Sequence, residues 1–299
     1  MLIVSILTGV AISAAAPAST KVAFLADHGY SETTDAVFRM VRNEGASLLV
    51  IQGDLDYKSD AQQWEEMINR TLGENFPVLV APGDEEFKRW KDYQTVFRRR
   101  LERAKEVSCE GDPGIRSTCT FRNLRVLLLG VGLTGDDYSS YIRNPAIHGK
   151  EPWKICSWHL NQRLLQIEKK PDEAGWDAYE ACREIGAIVA NGHAHVYART
   201  HLLSKMNPPT ILSKEPVLTI APGQTFLFIS GIGGKSIRKQ KDTLAANPWW
   251  ATVYTRKQHA DFGALFCSFG AQEKKPKGDC YFKDIQGRVV DRFELLSLL

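Results

Sequence analysis

Six residues draw attention by their chemistry and by what precedes them. Asp27 follows the apolar run Lys21-Val22-Ala23-Phe24-Leu25-Ala26, Asp54 follows Ser47 to Ile51, and Asp84 follows Pro77 to Val80. His159 closes Trp153 to Trp158, and His193 and His195 follow Ala187 to Ala190 through Asn191-Gly192. An Asp behind such a run is commonly a turn residue or helix cap, and a single His there is commonly structural. A recurrence at five run ends is another matter, because a sheet brings its strand ends to one rim. That rim would gather carboxylates and imidazoles with no obvious nucleophilic Ser or Cys. Like charges there repel unless protons or cations neutralise them. Oxygen-plus-imidazole donors suit zinc, manganese and iron better than calcium. Two metals sharing a carboxylate would activate water and clamp a phosphoryl group during in-line displacement.

The elements that must position these residues can be read next. Continuous apolar runs of this length predict strands buried on both faces. Helical stripes lie between them, over Thr34 to Asn43, Ser59 to Leu72, Asp84 to Ala104 and Trp176 to Ile185. Strand–helix alternation through the first two thirds predicts an α/β core with parallel pairing. After Thr210 the pattern turns to strands and turns: Thr225 to Ser230, Gly263 to Phe269, and a hairpin from Cys280 to Leu295. One layered α/β domain that finishes in antiparallel strands accounts for all of this.

Composition narrows the setting. The chain has 299 residues, 43% apolar and 24% charged, which excludes disordered, collagenous and coiled-coil classes. Lys plus Arg exceeds Asp plus Glu by only three (38 − 35), so bulk charge argues for neither nucleic acid nor an anionic membrane as partner. Leu2 to Ala16 is apolar or small and runs into Pro17-Ala18, which reads as a signal peptide over residues 1–18. The expectation is a secreted domain over 19–299, without stable membrane association after signal removal. Six cysteines agree with secretion. Cys109 and Cys119 bracket one Gly/Pro loop and Cys267 and Cys280 another turn-rich segment, leaving Cys156 and Cys182; six cysteines still allow 15 connectivities. Asn69-Arg70-Thr71 is a glycosylation sequon, usable on a secretory route.

The segments Asp27-His28-Gly29, Gly53-Asp54-Leu55-Asp56-Tyr57, Gly83-Asp84-Glu85-Glu86, Cys156-Ser157-Trp158-His159 and Gly192-His193-Ala194-His195 occur in a telling order. The set resembles the calcineurin-like metallophosphoesterases, which read D-x-G or D-x-H, GD, GNH[DE], a strand-end His and GHxH. Tyr57, three residues after Asp54, is similar to the GDxxY signature of the purple acid phosphatase branch, whose tyrosine ligates a ferric ion. Val196 to Thr200, Ser230-Gly231-Ile232-Gly233-Gly234 and Tyr281 to Leu295 also look like that branch, so the resemblance runs from about Val22 to Leu295. It implies a four-layer αββα sandwich of two mixed sheets. It further implies that Asp27, Tyr57 and His195 hold one metal, that Asp54 bridges, and that Asp84, His159 and His193 hold the other. The implied cofactors are two metal ions, iron paired with iron, zinc or manganese. The implied reaction is attack of a metal-bound hydroxide on a phosphate ester.

One motif departs. Asp84 and Glu85 stand where the family has Asn and His. Asp27, Asp54, Asp84 and a Tyr57 phenolate sum to −4, against −3 for the usual set. Glu85 could protonate a leaving group only while itself protonated. Two readings follow: a phosphatase working best in acid, with Glu85 as its acid, or a binding protein on the same fold with little turnover. His28, beside Asp27, is a second candidate for substrate contact. His148, His201 and His259 lack partner patterns, Arg199 reads as a brace for the last loop, and Trp249-Trp250 reads as packing. Arg98-Arg99-Arg100 lies in a helix rich in charge and reads as a solvated face.

Overall fold

A computed structural model describes residues 19–271 and 274–299. The expected signal peptide, residues 1–18, lies outside the described residues. The first part alternates: β1 (Ser19–Leu25), α1 (Glu32–Asn43), β2 (Leu48–Gln52), α2 (Ala61–Thr71), β3 (Val78–Ala81) and α3 (Trp90–Arg103). Next come β4 (Val107–Asp112), β5 (Arg116–Phe121), β6 (Leu124–Leu129), α4 (Tyr138–Arg143), β7 (Trp153–Trp158), α5 (Asp177–Glu184) and β8 (Ile188–Asn191). The remainder is chiefly strand: β9 (Tyr197–Thr200), β10 (Leu202–Lys205), β11 (Thr210–Ser213), β12 (Val217–Ile220) and β13 (Leu227–Ser230). It ends with α6 (Asp242–Ala245), β14 (Trp250–Tyr254), β15 (Gly263–Gly270), β16 (Lys277–Asp284) and β17 (Val289–Ser297).

Two large mixed sheets form the middle of the molecule. One has the order β12-β17-β16-β15-β1-β2-β3 and the other β14-β9-β13-β8-β7-β6-β5-β4, while β10 and β11 make a separate ribbon. β1, β2 and β3 run parallel, as do β6, β7, β8 and β13. Successive side chains of a strand face opposite ways, and β6 shows the result. Leu124, Val126 and Leu128 join the core between the sheets, whereas Leu127 and Leu129 join the core beneath α4 and α5. Both faces being covered, the strand is apolar from Val126 to Leu129, and only half-buried Arg125 near its start breaks the run. Phe24 meets Phe228 edge-on across the two sheets, and Trp153 meets Phe269. The structure is therefore an α/β sandwich of one domain, with α1 to α3 against one sheet and α4 and α5 against the other.

Helix ends follow local chemistry. Ser31 caps α1 by accepting from the Thr34 N–H, and Asp60 caps α2 by accepting from the Gln63 N–H. The helix expected from Asp84 begins at Trp90, after a single 3-10 turn. Residues 83–86 are held as a loop because the Glu86 carboxylate binds the N–H groups of Gly83, Asp54 and Leu55. All three disulfides form as the loops suggested: Cys109–Cys119, Cys156–Cys182 and Cys267–Cys280. Arg98 and Arg99 face solvent as expected. Arg100 does not: it is buried and donates to Asn69 and to the carbonyls of Gly73 and Phe76. The sequon Asn69 thus lies inside α2, half-buried, with its amide oxygen already engaged. Arg199, expected to brace the last loop, instead ties two strands, bidentate on Asp291 from β9 to β17, and Trp250 packs in the core.

Candidate metal centre

The two sheets present their parallel strand ends to each other. Asp27, Asp54 and Asp84 follow β1, β2 and β3 of one sheet, and His159 and the His193/His195 pair follow β7 and β8 of the other. The rim anticipated for a single sheet is thus a seam between two. The backbone is tightly wound here. Asp27, Asp54, Tyr57 and His193 all have φ between 55° and 68°, the left-handed region that non-glycine residues rarely adopt. These four are among seven such residues described, and strain concentrated at one place is a mark of a functional site. Gly83 explains the close approach: a Cβ there would sit 2.1 Å from Asp54 Oδ1.

The donors fall into two triads, Asp27 with Asp54 and His195, and Asp84 with His159 and His193. His159 Nδ1 lies 2.6 Å from the Gln52 carbonyl, which can only accept, so Nδ1 carries a proton. His159 Nε2 then faces Asp54 Oδ1 at 3.2 Å, Asp84 Oδ1 at 3.0 Å and His193 Nδ1 at 3.2 Å. His193 Nε2 donates to Glu173 at 2.8 Å, which leaves the Nδ1 lone pair facing Asp84 at 3.2 Å and accepting from the Lys170 ammonium at 3.0 Å. His195 Nδ1 meets Ser236 Oγ at 2.6 Å, and its Nε2 lies 3.4 Å from Asp27 Oδ1. The Tyr57 hydroxyl sits 3.2 Å from both Asp27 and His195. Every histidine therefore turns one nitrogen inward and has the other held from outside, by a carbonyl, a carboxylate and a hydroxyl. That outer arrangement fixes tautomers in metal sites.

Acceptor atoms thus converge in both triads with a shortage of protons between them, which is what a cation requires. The electrostatics say the same. Burial pushes the Asp27 carboxyl up, helped by Asp54 and offset in part by His159. Burial acts downward on His159, yet Asp54 and Asp84 outweigh it and draw the imidazole well above its ordinary value. Burial and the charges of Asp27 and Asp54 keep the Tyr57 phenol protonated far past its usual range without a cation. Burial also lowers His195 to about 3, with Arg238 and Lys170 adding to the shift. Donor types, spacing and tautomers all fit a pair of metal ions.

The remaining site candidates differ in setting. Glu85 is exposed beside the triads, its N–H 3.3 Å from Asp54 Oδ1; burial of its carboxyl and the charges of Asp54 and Asp84 raise its pKa. His28 is fully buried, its ring edge-on to Phe38 and its Nδ1 2.9 Å from the Gly29 carbonyl. Burial lowers it to about 4, so it is neutral. Sequence reading missed Gln52, Glu168, Lys170, Glu173 and Ser236. Glu168 accepts from the His195 N–H at 2.7 Å and pairs with Arg238. Of these five, Gln52 contributes only its backbone and the others lie on irregular loops, where no spacing rule points to them.

No protein-family model matches the sequence, and no curated protein matches it. Solved structures do. The purple acid phosphatase PPD1 from yellow lupin (Lupinus luteus) seeds is 15% identical, with a TM-score of 0.66 over 93% of this chain and 54% of that one. GAP50, the anchor in the inner membrane complex of Plasmodium, is 10% identical, with a TM-score of 0.62 over 95% and 90%. PhoD is 12% identical, with a TM-score of 0.54 over 93% and 72%. The fold is that of the metallophosphoesterases. The metallophosphoesterase fold here spans about half the length of the lupin chain. Identities this low speak for architecture alone, and the chemistry must be argued from the donors.

Proposed function

We propose that this chain is a secreted phosphatase of the purple acid phosphatase type that holds two metal ions and hydrolyses phosphate monoesters. The observation that carries the reading is the double triad with each histidine's outer nitrogen tied to its own partner. Asp27, Tyr57 and His195 would hold one metal, Asp84, His159 and His193 the other, and Asp54 would bridge. When bound, the pair supplies Lewis acidity and lowers the pKa of water. The protein's own part is to orient these donors, keep His159 and His193 in the required tautomers, and move a proton at Glu85. A Glu85 carboxyl raised by burial, Asp54 and Asp84 is a proton donor to the leaving oxygen in acid. His28, neutral and packed on Phe38, would hold the Asp27–Gly29 turn. Three disulfides support an oxidising compartment, and no helix among the described residues is long and apolar enough to cross a membrane.

A second reading, a non-catalytic binding protein, draws on the Asp84-Glu85 pair and on the likeness to a protein described as an anchor. Metal content and hydrolysis of p-nitrophenyl phosphate from acid to neutral pH separate the two. The phosphatase reading expects two metals per chain, turnover that grows in acid, and an approximately hundredfold loss in Glu85→Gln. Fewer than two metals after reconstitution, with no hydrolysis, would leave the binding protein.

A further inference from the structure

Arg238, Lys170 and Lys235 all act on groups of the centre. Arg238 meets Glu168, and Lys257 meets Asp242. Lys170 and Lys235 form no salt bridge with a carboxylate among the described residues, and one lies beside each triad. The Lys170 ammonium donates to His193 Nδ1 at 3.0 Å, beside the second triad. The Lys235 ammonium lies 4.1 Å from the centroid of the Tyr57 ring, beside the first. Its aliphatic stem and the Tyr57 ring both flank Gly29, where a Cβ would touch them at 3.4 and 3.5 Å. Its backbone N–H donates to the Asp27 carbonyl at 3.0 Å, so the lysine is fixed to the loop that carries a donor.

Both ammonium groups act on the centre at range. Lys170 opposes the upward shift of Asp27 and helps depress His195, and Lys235 opposes the upward shift of Glu85. Asp27, Asp54 and Asp84 bring −3 to the site, so an anionic substrate needs positive charge from the protein as well as from metals. An ammonium has three donors that rotate freely, and charge-assisted bonds to phosphate oxygens are the stronger kind.

We propose that Lys170 and Lys235, one beside each triad, anchor the substrate's phosphoryl group, and that they select a phosphate monoester dianion over a diester monoanion. The inference rests on the phosphatase reading of the same site. Two separate point charges, one beside each triad, suit a group with charge on several oxygens, whereas a diester has one negative charge to share and carries bulk on two oxygens.

The test is equilibrium binding of inorganic phosphate and of dimethyl phosphate at about pH 8, with metal content measured on the same samples. Wild type, Lys170→Met, Lys235→Met, the double variant, and the two Lys→Arg variants are compared, with exposed Lys105→Met as control. Each Met variant is expected to weaken phosphate binding about tenfold and the pair about a hundredfold, with metal content and dimethyl phosphate binding unchanged. The Arg variants should hold affinity within about threefold, which also shows that the positions tolerate replacement. Unchanged phosphate affinity in folded Met variants would overturn the inference, as would Arg variants as weak as Met. Loss of metal in step with phosphate would also overturn it, since the lysines would then act through His193 or Tyr57. Wild-type protein that turns over p-nitrophenyl phosphate but binds both anions equally would overturn the dianion preference and leave the phosphatase reading standing. Lysine-dependent phosphate binding without turnover would do the reverse.

Discussion

The two donor triads are built from like residues and meet water differently. Asp27, Asp54 and His195 are all buried, and three of the four strained φ values belong to that side, at Asp27, Asp54 and Tyr57. The other triad pairs buried His159 and His193 with Asp84, whose side chain is 47% exposed. A charge on a half-exposed carboxylate is screened, whereas a buried one must be met by a specific partner. This is why the chain can carry an aspartate at position 84 at all. The strong field of His159 and His193 holds Asp84 ionised, well below the usual carboxylate range despite partial burial, which acts to raise it. The enclosed triad is fixed by backbone and core; the open one is adjustable.

The most forceful way to break that contrast is to cut each triad's outer support. Glu173→Ala removes the acceptor of His193 Nε2, and Ser236→Ala removes the partner of His195 Nδ1. Each change is expected to weaken metal binding about 10–100-fold at its own triad and leave the other near its wild-type value. Titration with zinc, followed calorimetrically, resolves the two; equal losses at both triads in either variant would mean the centre behaves as one unit. A gentler perturbation sharpens the point about exposure. Asp84→Asn keeps an oxygen donor and removes one negative charge, so phosphate binding should tighten by about threefold to tenfold at unchanged metal content. A weaker phosphate complex would count against charge as the quantity that matters at this position.

The smallest effect comes from a carboxylate remote from both triads. Glu44 follows α1 and binds Lys283 and Tyr281 of β16 and Lys21 of β1, interior strands of the first sheet. Burial alone would raise it, yet these three partners pull it down from 4.5 to about 2. A depressed folded value stabilises the protein above the unfolded value, so this contribution is complete above about pH 4.5 and disappears as pH falls towards 2. Glu44→Gln should therefore lower the melting temperature by about 3 °C near neutrality. The gap between variant and wild type should close near pH 2, and a gap that persists there would assign the effect to packing.

Much of this molecule was legible because its buried strands leave little choice. Val126, Leu127, Leu128 and Leu129 must all be apolar when alternate faces feed two different cores, so the run announces a covered strand. The donors that follow such runs inherit that clarity. The start of α3 was misplaced because Glu86 looks like an ordinary first-turn acid; only its bonds to Gly83, Asp54 and Leu55 reveal a loop clasp. Arg100 looked solvated beside Arg98 and Arg99, since a triplet carries no sign of which member faces Asn69 and Phe76. Lys170, Glu173 and Ser236 were invisible for a related reason. They reach the histidines across 20 to 41 residues of chain from segments without periodicity. His28 was legible as a neighbour of Asp27, while its burial against Phe38 depended on how α1 closes over the turn.

The left-handed backbone at Asp27, Asp54, Tyr57 and His193 also bears on how such a sequence can drift. At those four positions a β-branched or bulky replacement is opposed by the main chain before any lost chemistry is considered. Asp84 and Glu85 have ordinary φ and lie at the surface. Random substitution is therefore filtered twice at the enclosed end of the seam and once at the open end. The open end is where a new side chain meets the least resistance from the backbone, and where one scaffold can be retuned without being rebuilt.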